Sequence, residues 1–134
     1  YNKAEENRIK FNIDESSKIS KLPKFMDSED IVSIVGNLIE NSLDAVDNDG
    51  SGEVYIKIIQ YSELIEIKIS DNGPGIKDEY MDKIYEQGFT TKEGQRGHGM
   101  YIVKQIIDRA NGKIELKVNN GVNWNISIPM GECD

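Results

Sequence analysis

Asn37, Asn41 and Asp44 are spaced as one stripe of a helix. At about 100° per residue, Asn41 lies roughly 40° around from Asn37, and Asp44 about −20° from it. Apolar residues flank the stripe on both sides. Asn is a poor helix former, and a merely solvated helix face would normally be filled with Lys and Glu. An amide oxygen is instead a neutral ligand for a hard, oxygen-seeking cation such as Mg²⁺. A second group is Asp71-Asn72-Gly73-Pro74-Gly75-Ile76, which follows an alternating strand. Asx turns use the same words. A carboxylate at a strand end can also accept a hydrogen bond from an exocyclic amine, and glycines beside it let a flat ring approach the backbone. Adenine offers that amine and guanine's edge differs, which favours ATP. The third group is Gly97-His98-Gly99-Met100, preceded by Gly94. Backbone N–H groups at a helix N-terminus attract phosphate through geometry and dipole. Lys92 and Arg96 share that loop and can reach outer phosphates. The pattern is neither a P-loop nor a dinucleotide fingerprint.

These groups need elements to hold them. Ile9, Phe11 and Ile13 alternate as a short strand. Asp14 to Asp27, with Pro23, reads as a connection. Ser28 is expected to cap a helix with Glu29 and Asp30 in its first turn. The helix runs from Ile31 to Val46 on Ile31, Ile34, Val35, Leu38, Ile39 and Val46, and Asn48-Asp49-Gly50 ends it. Val54, Ile56 and Ile58 alternate, as do Ile65, Ile67 and Ile69, with Tyr61-Ser62 turning a hairpin between them. A short helix is expected over Asp78 to Ile84, a mobile loop over Glu86 to Gly99, and a helix from Met100 to Ala110. Ile114, Leu116 and Val118 form one late strand, and Trp124, Ile126 and Ile128 another. This order predicts a two-layer α/β sandwich, a mixed, mostly antiparallel sheet covered on one face by helices.

Bulk properties bound the partners. The 134 residues suit one domain, 1–134. Beginning at Tyr1 rather than Met, the chain is expected to be a piece of a longer protein. A net charge of −8 argues against nucleic acid, but a few local cations and Mg²⁺ suffice for one triphosphate. The single cysteine, Cys133, fits a reducing compartment. No apolar run approaches the ~20 residues of a membrane span.

In order and spacing the three groups resemble the GHKL family of gyrase, MutL, the large heat-shock chaperone and the sensor histidine kinases. Asn37-Leu38-Ile39-Glu40-Asn41 resembles the N box, Asp71 to Ile76 the first G box, Tyr85 to Phe89 the F box, and Gly97 to Met100 the second G box. The likeness covers almost the whole chain and implies a Bergerat-type ATP-binding fold. It implies that Asn41 holds the Mg²⁺ bridging the phosphates and that Asp71 binds the adenine amino group. Asn37, Asp44, Gly73, Gly75 and Ile76 would complete the nucleotide site. Phe89, Thr90, Thr91, Lys92, Arg96, Gly97, His98, Gly99 and Met100 would form the lid and the phosphate contacts.

The branch of the family decides the chemistry. The ATPases carry a Glu as water-activating base four residues before the Mg²⁺-binding Asn; that position here is Asn37, which cannot abstract a proton. Asn-Leu-Ile-Glu-Asn-Ser-Leu-Asp-Ala, Gly-Phe-Thr-Thr-Lys and Gly-His-Gly-Met-Tyr are similar to sensor kinases of the citrate/dicarboxylate type. Three positions depart from the common pattern: Asp44 stands where many histidine kinases have a cation, Met100 replaces a Leu, and Val122 rather than Thr follows Gly121. The resemblance therefore implies a phosphotransferase that takes Mg–ATP and delivers the γ-phosphate to a histidine on its own dimerisation domain. A downstream response regulator, a cytoplasmic location, a homodimeric parent and a monomeric fragment follow from the same likeness. The competing readings are a serine kinase of the anti-sigma-factor type, a GHKL ATPase and a degenerate binding domain. His98, alone between glycines, reads as a loop residue rather than a metal ligand. Trp124 is expected in the core, and Tyr101 packed under the lid helix.

Overall fold

The computed structural model describes residues 10–14, 21–45, 52–74, 79, 83–86, 99–118 and 121–131. In chain order the elements are strand β1 (Lys10–Ile13), helix α1 (Ser28–Ala45), β2 (Glu53–Gln60), β3 (Leu64–Asp71), helix α2 (Gly99–Arg109), β4 (Lys113–Val118) and β5 (Val122–Pro129). The strands form one sheet in the order β1-β2-β3-β5-β4. β1 joins β2 in parallel, and the other pairings are antiparallel. This is the mixed sheet with helices that the residue pattern predicts. The helix expected over Asp78 to Ile84 lies largely outside the described residues.

Period-two alternation sets which face of the sheet is buried. Val54 and Ile56 of β2, Ile65, Ile67 and Ile69 of β3, and Val122, Trp124, Ile126 and Ile128 of β5 all turn inward and are buried. From α1 come Ile34, Leu38, Ile39 and Leu43, and from α2 Met100, Val103, Ile106 and Ile107, in one continuous cluster. Trp124 lies in this core as expected, 4% exposed, with the Tyr85 ring edge-on at 6.3 Å. Tyr101 is half-buried on α2.

The start of α1 differs from expectation by one residue. Asp27 Oδ1 accepts from the Asp30 N–H at 2.9 Å, and Asp30 Oδ2 accepts from the Asp27 N–H at 3.1 Å. This reciprocal pair is a capping box with a carboxylate in each role, so the cap is Asp27 rather than Ser28. Arg109, in the last turn of α2, reaches Asp30 Oδ1 at 2.7 Å, which ties the end of α2 to the start of α1. Burial raises the Asp30 pKa, but the Asp27 N–H and the Arg109 guanidinium outweigh it, and the net shift is downward. The same end of α2 closes on Asn111 in the left-handed region, φ 60°, with the Gly112 N–H donating to the Ile107 carbonyl at 2.8 Å. That six-to-one bond satisfies an orphan carbonyl of the last turn.

Candidate nucleotide site

Asp71 is the last residue of β3 and sits in register with Ile65, Ile67 and Ile69. Alternation therefore turns its carboxylate to the helix-covered face, where the three preceding inward positions are isoleucines. Its neighbours across the sheet are Val54 on β2 and Val122 on β5. Only 7% of the residue remains exposed. Oδ1 accepts from the Gly73 N–H at 2.9 Å and, at a longer 3.4 Å, from the Val122 N–H. Burial pushes the Asp71 pKa above the usual aspartate value, while the Gly73 and Val122 N–H groups and the Ser42 hydroxyl pull against it. Among the described residues Ser42 Oγ has no partner in hydrogen-bond geometry.

The loop around Asp71 is held from both sides. Asn72 Oδ1 accepts from the Glu53 N–H at 2.8 Å, which pins the turn to the start of β2. Gly121, at φ 128°, lies against the Asp71 carbonyl so closely that a Cβ would stand 1.9 Å from the oxygen. Only glycine fits both that backbone angle and that gap.

The N-terminus of α2 meets the middle of α1. Asn37 Nδ2 donates to the Ser33 carbonyl at 2.7 Å, which leaves Oδ1 directed toward Gly99. A Cβ on Gly99 would lie 3.0 Å from that oxygen. The glycine thus lets the positive end of the α2 dipole come up to the amide stripe of α1. Asn41 follows one turn later, half-buried. Met100, one residue into α2, is 8% exposed and belongs to the core.

The fold therefore brings Asn37 to Gly99, and Asp71 to Gly73 and Val122; Met100 follows Gly99 into the core. Asp44 lies on the same helix, within Ser28–Ala45. Gly75, Ile76, Phe89, Thr90, Thr91, Lys92, Arg96, Gly97 and His98 lie outside the described residues. Ser42 was not singled out from the sequence, and Gly121 and Val122 were named only as a departure from the family pattern. Ser42 had a readable signal, since it falls four residues after Leu38 on the apolar stripe.

The donor set also suits the cation. Among the described residues no three His, Cys, Asp or Glu side chains converge as a metal cage. Mg²⁺ is commonly held by one or two protein oxygens, with phosphate and water completing its shell. The Asn41 amide on the stripe that meets α2 fits that mode.

A buried carboxylate at a strand end and a helix N-terminus facing an amide stripe define a nucleotide-binding α/β sandwich. The chain belongs to the histidine kinase-, DNA gyrase B- and HSP90-like ATPase family, whose model matches residues 26–132. It is 39% identical over 127 residues to a probable C4-dicarboxylate sensor kinase of Bacillus subtilis (strain 168), covering 91% of this chain and 24% of that one. It is 32% identical over 134 residues to the sensor histidine kinase DpiB of Escherichia coli (strain K12), covering 95% of this chain and again 24% of the relative. The chain thus spans about a quarter of the length of these relatives. Among solved structures, the catalytic domain of histidine kinase ThkA superposes with a TM-score of 0.78 at 27% identity, covering 96% of this chain and 84% of that one. The fold is that of a histidine kinase catalytic domain.

Proposed function

We propose that this chain, over residues 1–134, binds Mg–ATP and donates the γ-phosphate to a histidine on a separate dimerisation domain of its parent protein. The observation that carries this reading is Asn37. At the position where the family's ATPases hold a carboxylate base, this chain has an amide whose NH₂ is committed to the Ser33 carbonyl. Such a group cannot take a proton from water, so the γ-phosphate awaits an acceptor supplied from elsewhere. Phosphoryl transfer depends chiefly on positioning and charge stabilisation, and the residues divide along those lines. Asp71 accepts from the adenine amine, with Gly73 and Gly75 beside the ring and Ile76 against it. The α2 N-terminus at Gly99 receives phosphate, with Lys92, Arg96 and the stretch Phe89 to His98 around it. Asn41 would hold Mg²⁺, which neutralises phosphate charge when bound. Asn37 and Asp44 shape the same stripe.

The parent is read as a homodimeric sensor with a downstream response regulator, and this domain as a cytoplasmic, monomeric module with no membrane or nucleic-acid contact. Among the described residues no helix is long and apolar enough to cross a membrane. The similarity to citrate- and dicarboxylate-type sensor kinases supports the two-component setting.

The test is calorimetric titration of the chain with ATP and GTP in Mg²⁺, together with a phosphate-release assay. ATP should bind at least tenfold more tightly than GTP, as expected when a buried polar contact is left unpaired, and release should be slow. Equal binding of the two nucleotides would remove the adenine assignment. Multiple-turnover hydrolysis at the rate of a dedicated ATPase would return the chain to the ATPase branch.

A further inference from the structure

We infer that the cavity between the segment entering α1 and the β2–β3 hairpin is a docking site for an acidic segment of a partner protein. Lys21 and Lys24 receive a carboxylate of that segment, and Leu22 and Met130 receive an apolar side chain. The inference is independent of the ATP-binding reading.

The cavity holds about 490 Å³. Lys21 and Lys24 line it from the connection that leads into α1, and Gln60 and Tyr61 from the hairpin; Leu22 and Met130 supply apolar surface. It lies at the far end of β3 from Asp71. Gln60 pairs with Ile65 at one end of the strand pair, and Val54 pairs with Asp71 at the other. Leu64–Asp71 is one continuous strand, so at about 3.3 Å per residue the two ends stand roughly 23 Å apart. The cavity is therefore separate from the candidate nucleotide site.

Hydrogen bonds build its walls into one unit. The Lys21 N–H donates to Gln60 Oε1 at 3.1 Å. The Lys24 N–H donates to the Met130 carbonyl at 3.0 Å, and the Met130 N–H to the Glu63 carbonyl at 2.9 Å. Gly131, at φ 92°, lets the Lys24 stem lie on the backbone, since a Cβ there would stand 2.7 Å from Lys24 Cβ and 3.2 Å from its Cδ. The seated stem brings its ammonium to 5.7 Å from the centroid of the Phe25 ring, within cation–π range.

Charge selects the occupant. Two of the lining residues are lysines and none is acidic. The described ion pairs, Lys68–Glu66, Lys104–Asp108 and Arg109–Asp30, involve neither lysine. Phe25 and Tyr61 beside them are 52% and 47% exposed. Exposed aromatics next to cations and an apolar recess have the composition of a recognition patch. An anionic membrane surface would meet the whole chain, whose net charge is −8, and be repelled. A short acidic segment meets only the local lysines. The sensor kinases that the chain matches carry most of their length outside this stretch, so a module of this kind works beside other protein segments.

The test is titration of the 134-residue chain with a capped peptide Asp-Glu-Leu-Asp-Glu, followed by fluorescence and by amide NMR shifts. The peptide should bind, and the shifts should gather on Lys21, Leu22, Lys24, Gln60, Tyr61 and Met130. The amide analogue Asn-Gln-Leu-Asn-Gln should not bind, and added salt should weaken the acidic peptide. Lys21→Met with Lys24→Met keeps the aliphatic stems and should weaken binding about tenfold, the scale of two exposed ion pairs. Lys21→Arg with Lys24→Arg should stay within about threefold, because the charge remains. Thermal unfolding checks that both pairs of substitutions leave the chain folded, and the shifts on the unsubstituted chain need no variant. Absence of binding, shifts gathered elsewhere, equal binding of the amide analogue, or an unchanged affinity in the folded methionine pair overturns the inference. Binding to phosphatidylserine vesicles without binding to the peptide overturns it in favour of a membrane surface.

Discussion

Replacing Asp71 by Asn tests the adenine contact with little change of volume. In the parent chain Oδ1 takes the Gly73 and Val122 N–H groups. The single oxygen of an asparagine must stay on that side to keep both bonds. Its NH₂ then occupies the Oδ2 side and faces the adenine amine, donor against donor. The variant loses a hydrogen bond to a charged group, about 1.5–3 kcal/mol, or roughly 10- to 150-fold in affinity. The folded state should not suffer in step, because burial already raises the Asp71 pKa and asparagine removes a charge from an apolar site. Calorimetric titration with Mg–ATP, paired with thermal unfolding of the nucleotide-free protein, separates the two effects. ATP binding within about threefold of the parent in a folded Asp71→Asn chain would refute the reasoning.

Further outcomes follow from the same geometry. Because folding raises the Asp71 pKa, the folded chain holds that proton more tightly than the unfolded chain, so the favourable contribution is full below the ordinary aspartate value and is lost as pH rises through the raised one. Urea unfolding across that window should show the parent losing stability relative to Asp71→Asn as pH rises; a constant difference would contradict the burial argument. Asp27→Ala should cost about 1 kcal/mol of unfolding free energy through loss of the cap, whereas Ser28→Ala should stay within about 0.5 kcal/mol; the reverse order would restore Ser28 as the cap. Gly99→Ala puts a methyl against Asn37 Oδ1 and should weaken triphosphate binding more than adenosine binding, which competition titrations can resolve. Gly121→Ala should destabilise by at least about 2 kcal/mol in denaturant unfolding, since both its backbone angle and the Asp71 carbonyl forbid a Cβ; a neutral result would show that the loop yields.

The strands and helices were legible because their apolar residues keep strict periods. Ile65, Ile67 and Ile69 not only mark β3 but set the phase that turns Asp71 inward, so its burial follows from counting by two. Asn37 and Asn41 were legible as a stripe for the same reason. Other features depend on contacts that no local pattern encodes. The cap is Asp27 rather than Ser28 because Asp27 and Asp30 exchange hydrogen bonds, and with Asp27, Ser28 and Asp30 all able to cap the choice is left to geometry. The parallel seating of β1 beside β2 is a choice of neighbour rather than of strand. The approach of Gly121 to the Asp71 carbonyl joins two residues far apart in the chain.

Transfer to an acceptor in trans tests the central claim most directly. The chain is incubated with γ-labelled Mg–ATP, first alone and then with a dimerisation domain that carries its own histidine, and the acid stability of the label is followed. The account predicts no label on the chain alone and acid-labile label on the histidine of the added domain, lost when Asp71 is replaced by Asn. Acid-labile label on His98 of the isolated chain, or rapid phosphate release with no transfer to the added domain, would contradict it.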